Sequence, residues 1–146
     1  MTRNSTPRPQ FRNLGLFSDL PAYVMRFPAS AIVSLLHRVS GLVLFLLLPV
    51  IIWVLDVSLS SEESFASLQN VFRNGVGWVP GWLLKCLLLA VLWSFLHHLI
   101  AGLRYLWLDV SHSATEKKTA MRSAKVVLTV SLTLTFLLGL KLFGVY

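Results

Sequence analysis

The chain has 146 residues, of which 55% are hydrophobic and 13% are charged, and its formal net charge is +7. A soluble domain with so few charged residues could not cover its surface, so the composition indicates an integral membrane protein surrounded by lipid. The basic residues gather where apolar segments end and form no basic-aromatic face, and we therefore expect no nucleic acid partner.

Three apolar segments are each long enough to cross a bilayer as a helix, and none alternates in polarity as a membrane-spanning strand would. Pro28 suits the first turn of the first helix, because the N–H that proline lacks would be unpaired there anyway. The second segment follows a turn rich in glycine and proline at 75–81. We predict an all-α membrane protein with three transmembrane helices at 29–57, 82–108 and 126–146, an N-terminal segment at 1–28, and loops at 58–81 and 109–125.

The placement of lysine and arginine predicts the orientation, because these residues are enriched in cytoplasmic loops. Most of them lie before the first helix or in and beside the second loop: Arg3, Arg8, Arg12, Arg26, Arg104, Lys117, Lys118, Arg122 and Lys125. The first loop offers only Arg73, while Lys85 and Lys141 lie near helix ends from which they can snorkel to the interface. We expect the N-terminus and the second loop in the cytoplasm, and the first loop and the C-terminus on the periplasmic side of a bacterial inner membrane. The polar N-terminal segment has no apolar core, so we expect no signal peptide.

Polar residues form a stripe near the start of the first helix, on positions three or four apart: Ser30, Ser34, His37, Arg38 and Gly41. The guanidinium of Arg38 matches a carboxylate, and hydroxyl and guanidinium groups can also donate to a quinone carbonyl. Asp109, at the end of the second helix, could pair with Arg38 or with Arg104. Two other interpretations stay open: Arg38 as a snorkelling interfacial arginine, and Ser34 as a serine bonded to its own helix backbone.

His98 lies inside the second apolar segment, where an imidazole is costly without a partner and marks a functional site. On a helix it shares a face with small residues and one tyrosine: Ser94, Ala101, Gly102 and Tyr105. The small neighbours leave room for a flat ligand, and haem iron takes histidine as an axial ligand. No C-x-x-C-H sequence is present, so such a haem would be of the b type. The alternative is a packed and hydrogen-bonded helix histidine.

The histidines of the chain do not offer an evident second axial ligand. His97 points about 100° away from His98 on a helix, so the two cannot serve one face of an iron. His37 is expected near the membrane edge and His112 in the second loop, so neither should lie at the depth of His98. A six-coordinate haem would therefore need a partner chain.

The third helix carries a row of small residues at four-residue spacing, which consists of Ser123, Ser131, Thr135 and Gly139. Val127 interrupts this row. Rows of this kind let membrane helices approach closely. The row is expected to pack either within this chain or against a partner.

Two motifs stand at these sites. The first is S-x-x-H-R-x-S-G from Ser34 to Gly41, and the second is H-x-x-x-G-x-R from His98 to Arg104, followed by the acidic Asp109. With three spans and this length, the chain resembles the cytochrome b subunit of succinate dehydrogenase, the larger membrane anchor of respiratory complex II. The resemblance covers nearly the whole chain, and the combination of the two motifs is specific.

The resemblance implies a haem b between two membrane subunits, with one axial histidine from each. It implies His98 as the haem ligand of this chain and a ubiquinone site near the cytoplasmic face, formed in part by Ser34 and Arg38. His37 and Arg38 would lie near the haem propionates. Tyr105 stands where many relatives have a second histidine, so one propionate contact is expected to be lost or replaced.

Three further residues complete the expected site as supporting residues: Gly102, Arg104 and Asp109. The partners implied are the second membrane anchor, the iron–sulfur subunit and the flavoprotein subunit. With Cys86 as its single cysteine and no dinucleotide fingerprint, the chain itself should carry no residue that acts on succinate. Two alternatives remain at this point: a haem-free anchor or assembly protein, and the anchor of a fumarate reductase.

Overall fold

The computed structural model describes residues 27–111 and 116–145. Within them the chain forms four helices and no strand, which confirms the all-α prediction: α1 (Ala29–Ser60), α2 (Glu62–Asn74), α3 (Gly81–Val110) and α4 (Lys117–Leu142). The expectations for the N-terminal segment up to residue 26, for His112 and for Tyr146 lie outside the described residues.

The three longest helices are each long and apolar enough to cross a membrane, as the sequence predicts. They contain 32, 30 and 26 residues, and about 20 suffice to cross the hydrocarbon core of a bilayer. The most apolar stretch of α1 has no residue buried within the part of the chain that the structure describes. None of these side chains is therefore buried by the described residues, and this face of α1 is open to lipid or to other polypeptide segments.

Helix α3 packs against both α1 and α4. It runs antiparallel to both, since Gly41 lies against His98 and Gly102 against His37, and His97 contacts Ser131 while Arg104 contacts Ser123. His37 of α1 lies against His98 of α3, and Arg104 of α3 bonds Ser123 of α4. The starts of α1 and α4 and the end of α3 therefore lie together, at what we call the Arg104 end of the bundle. The opposite end, which holds α2, the start of α3 and the end of α4, is called the α2 end.

Helix α2 lies within the region that the sequence pattern predicts as a loop. It begins with a capping box, in which the hydroxyls of Ser61 and Ser64 each accept the backbone N–H of the other residue, at 3.1 and 3.0 Å. Glu62 and Glu63 occupy its first turn, where negative charge is favourable. Gly75 ends it with a φ of +94°, a left-handed conformation that favours glycine.

Two helices extend beyond the predicted apolar segments. Helix α1 continues to Ser60, and α4 begins at Lys117, well before the apolar residues that start at Val126. A helix need not end where the hydrocarbon ends, because lysine, arginine, alanine and methionine are good helix formers in water. The length of an apolar segment thus predicts the membrane-spanning part of a helix, but not where the helix itself begins and ends.

The three long helices meet over small residues. Val33, Ala101, Ala124 and Val127 form the buried apolar cluster. The small-residue row of α4 is buried at Ser131, Thr135 and Gly139, so the row packs within this chain, and Val127 takes part in the packing. Small side chains let backbones approach closely, which is the usual basis of helix association in lipid.

Candidate functional site

His98 is held by hydrogen bonds to α1. Its Nδ1 lies 3.1 Å from the backbone carbonyl oxygen of His37 and 3.4 Å from the hydroxyl oxygen of Ser40. A carbonyl only accepts hydrogen bonds, so this contact places the proton of the neutral ring on Nδ1. The lone pair is then on Nε2, which makes no hydrogen bond to any described residue.

Ser40 braces the same contact. It is buried, and its hydroxyl donates to the His37 carbonyl oxygen at 2.9 Å while its oxygen faces His98 Nδ1. One backbone carbonyl of α1 therefore receives both a serine hydroxyl and the ring of His98. Metal-binding histidines are commonly oriented by such a bond from the nitrogen that does not bind the metal.

Gly41 makes room for His98. A Cβ atom on Gly41 would stand 2.8 Å from Cε1 and 3.2 Å from Nδ1 of the His98 ring, closer than van der Waals contact allows. Helix α1 can approach this side of α3 only because residue 41 has no side chain. Gly102, the glycine singled out from the sequence, has more space, since its Cβ would lie 3.6 Å from His37 Nε2.

The imidazole of His37 stacks on that of His98, with ring centroids 4.2 Å apart and an interplanar angle of 9°. The expectation that no second histidine lies at the depth of His98 is therefore wrong. Position along one helix does not give relative depth, because the register between α1 and α3 brings the first part of α1 opposite the middle of α3. Two rings stacked face to face leave no room for a porphyrin between them, so His37 is not placed to be the opposite axial ligand.

Tyr105 adds a third ring, at 5.2 Å from His37 and tilted by 54°. Its hydroxyl is buried and has no hydrogen-bond partner within the described part of the chain. A buried hydroxyl of this kind is available to a ligand or to another subunit.

Ser34 and Arg38 lie one turn apart on α1, and Arg38 is exposed while Ser34 is half-buried. Neither side chain makes a hydrogen bond or an ion pair with a described residue. Ser34 therefore does not bond its own helix backbone, which was one of the open interpretations. Within the described part of the chain, both side chains thus keep their hydrogen-bond donors without a partner.

Arg104 is almost fully buried and ties α3 to α4. Its Nε donates to Ser123 Oγ at 2.9 Å and its Nη2 donates to the Ala120 carbonyl oxygen at 3.0 Å. Asp109 is exposed and forms no ion pair with either arginine considered for it. The structure thus gives Arg104 a packing role between helices and leaves Asp109 at the surface.

His97 faces the other way, as its position beside His98 requires. It is fully buried, its Nδ1 lies 3.3 Å from Ser131 Oγ of α4, and its ring stacks on Trp93. The structure therefore separates His97 from the other site residues. The residues that it brings together are His37, Ser40, Gly41, His98, Gly102 and Tyr105.

Sequence reasoning gave no role of their own to Ser40 and Gly41, although both belong to the first motif. A signal was present, because a serine and a glycine follow His37 by three and four residues, on its own helix face. Which residue of α3 they meet depends on the register between the helices, which neither motif contains.

The chain is similar to known membrane subunits. The family described as succinate dehydrogenase/fumarate reductase transmembrane subunit matches residues 7–138. The succinate dehydrogenase cytochrome b556 subunit of Coxiella burnetii is 38% identical over 84 residues, which are 58% of this chain and 62% of that protein. The subunit of the same name from Paracoccus denitrificans is 30% identical over 112 residues, which are 73% of this chain and 81% of that protein. The match thus spans less than two thirds of the length of the first relative.

Proposed function

Because this chain belongs to the family of succinate dehydrogenase and fumarate reductase transmembrane subunits, we propose that it anchors a soluble dehydrogenase to a bacterial inner membrane and helps to pass electrons to ubiquinone. The soluble part would consist of the flavoprotein and iron–sulfur subunits, and a second membrane subunit would complete the anchor. Both named relatives are succinate dehydrogenase subunits, which favours succinate oxidation over the reverse reaction.

We assign His98 as this chain's axial ligand to a haem b shared with the second membrane subunit. The observation that carries the assignment is the bond from His98 Nδ1 to the His37 carbonyl oxygen, which leaves Nε2 for a metal. When bound, the haem supplies one-electron transfer. His37 and Arg38 would hold its propionates, and Gly102 would leave space beside it.

Ser34 and Arg38 are the proposed quinone-site residues. Their donors have no partner among the described residues and lie one turn apart, on the same helix that holds His98. A quinone carbonyl gains negative charge as it is reduced, so fixed donors beside it stabilise what forms during the reaction. The chain itself acts on the quinone and holds the haem, while succinate would be oxidised elsewhere in the complex.

The haem assignment is tested by replacing each of the two adjacent histidines in the assembled complex. In His98→Leu, we expect the b-type reduced-minus-oxidised absorption spectrum to be altered or lost. In the matched His97→Leu variant the spectrum should change much less, because His97 faces α4. A normal spectrum in assembled His98→Leu complex would rule out His98 as the ligand, and the haem would then be held by other residues.

A further inference from the structure

An open groove runs along the α2 end of the bundle, away from the proposed haem and quinone site. Its wider part is a cavity of about 660 Å³ lined by α2, by the start of α3 and by the end of α4. It shares Leu88, Lys141 and Leu142 with a second cavity of about 340 Å³ between α3 and α4. We call the two together the α2-end groove.

The two parts of the groove differ in chemistry. Three cationic side chains line the wider part, from three different helices: Arg73, Lys85 and Lys141. The narrower part is lined, apart from Lys141, by leucines alone: Leu88, Leu92, Leu138 and Leu142. Among the described residues, no acidic side chain lines either part. The groove thus has a cationic wider part, its mouth, that continues into an apolar narrower part.

The cations have no anionic partner within the described part of the chain. None of the three forms an ion pair there, and the Nζ of Lys85 lies only over the Phe143 ring, 5.7 Å from its centroid. Snorkelling accounts for a single lysine near a helix end. It does not account for three like charges that converge on one groove, since they repel one another unless an anion lies between them.

Their location adds weight to this argument. The α2 end is the end predicted to face away from the cytoplasm, where lysine and arginine are disfavoured in membrane proteins. Three cationic side chains gathered at this end run against the usual distribution of lysine and arginine, so we expect them to have a binding partner there.

We propose that the α2-end groove binds one anionic phospholipid. Its phosphate lies at the mouth, where Arg73 can form paired hydrogen bonds and the two lysines supply positive charge. One acyl chain lies along the leucines between α3 and α4. A phospholipid fits because one molecule carries both a phosphate, which would neutralise the cations of the wider part, and an acyl chain, which would pack against the leucines of the narrower part.

The test uses the complex as extracted in mild detergent and a phosphatidylglycerol that carries a photoreactive group in one acyl chain. After illumination, mass spectrometry of peptides maps the crosslinks. We expect crosslinks at Leu88, Leu92 or Leu138 in the wild-type complex, and markedly fewer with the equivalent phosphatidylcholine, whose headgroup is neutral overall. Inorganic phosphate at the same concentration should not displace the lipid.

The matched variants remove the same charge at opposite ends of the bundle. In Lys85→Gln/Lys141→Gln, crosslinking at the groove should fall roughly 10- to 30-fold, because each lysine near an anionic lipid contributes about fivefold in affinity. In Lys117→Gln/Lys118→Gln it should be unchanged. The haem spectrum reports assembly of both variants independently of the groove.

Four results would overturn the proposal, and three of them come from the comparisons between variants, lipids and phosphate. These are equal loss in both double variants, equal crosslinking by the two lipids, or full displacement by inorganic phosphate. Absence of any crosslink at the groove in the wild-type complex also overturns it, and would follow if another subunit filled the groove.

Discussion

At the scale of single residues, His98 depends on side chains of another helix. Ser40 and the His37 carbonyl set the direction of its ring, and Gly41 sets how closely α1 approaches it. A ligand atom is useful only if the groups behind it hold it in place. The residues that orient His98 are therefore part of the proposed haem site, together with the ligand itself.

Gly41 and Gly102 offer a matched pair of alanine substitutions on the two faces of this contact. In Gly41→Ala, the new methyl group would clash with the His98 ring, and we expect a loss of about 1–3 kcal/mol in stability, with a changed haem spectrum. In Gly102→Ala, the methyl group would be in ordinary contact with His37, and both changes should be smaller. Thermal unfolding and absorption spectra of the two complexes provide the comparison. A larger defect in Gly102→Ala would contradict the register observed between α1 and α3.

The proposed role of Ser34 and Arg38 in quinone reduction can be tested separately from succinate oxidation by the choice of electron acceptor. We expect Ser34→Ala and Arg38→Leu to impair reduction of ubiquinone and to leave succinate oxidation by a soluble artificial acceptor largely intact. Arg38→Leu should be the more severe, because losing a charged donor costs more than losing a neutral one. Rates must be compared in complexes whose assembly has been confirmed. If both variants reduce ubiquinone with normal rate and affinity, the quinone lies elsewhere and the stripe on α1 is structural.

The residues show how far a sequence can define such a site. The face of His98, and its separation from His97, followed from helix geometry, because neighbouring residues point about 100° apart. The contact between His98 and Ser40 did not follow, since the register between two helices depends on how they pack. The error over the depth of His37 has the same origin.

At the scale of helices, Arg104 joins α3 to α4 through two hydrogen bonds made inside the bundle. The partners lie near the start of α4, before its apolar residues begin. The contact shows how a charged segment that the sequence pattern assigned to a loop can continue the helix and pack against α3.

Replacing Arg104 should therefore weaken the packing of these two helices. We expect Arg104→Leu to lose about 1.5–3 kcal/mol for each charge-assisted hydrogen bond removed, and Arg104→Lys to lose less. Thermal unfolding of the complex in detergent measures the effect. Arg122→Leu is the control, because Arg122 is an exposed arginine on α4. Equal effects at residues 104 and 122 would show that charge alone, and not this contact, is responsible.

Helices also differ in how well their sequences predict them. The three spans were evident from their long apolar runs, because a segment outside the membrane rarely stays apolar over such a length. Helix α2 was missed because its 13 residues are short and mixed in polarity, and because its capping box lies between two apolar segments, in a region typical of a loop. The capping box indicated the start of a helix, but the prediction relied on apolar segments, and α2 is not one of them.

At the scale of the whole molecule, the direction of the chain across the membrane is a prediction from charge. The Arg104 end carries the basic start of α4, with Lys117, Lys118, Arg122 and Lys125, and should face the cytoplasm. A reporter fused after Tyr146 should therefore be active only if its reporter domain functions outside the cytoplasm. The control is the same fusion with a reporter that works only in the cytoplasm. Activity of the second and not the first would reverse the predicted orientation, and with it the side on which the proposed soluble subunits would dock.

The bond behind His98 has a consequence for electron affinity. Its acceptor is a neutral backbone carbonyl, which also receives the hydroxyl of Ser40. A carboxylate in that place would draw the Nδ1 proton more strongly and make the ring a stronger electron donor to iron, which favours the oxidised metal. A shared neutral acceptor does this less, so a haem bound by His98 should have a higher midpoint potential than one whose histidine is backed by a carboxylate. The choice of acceptor would thus favour a haem that is readily reduced by electrons from the proposed soluble subunits.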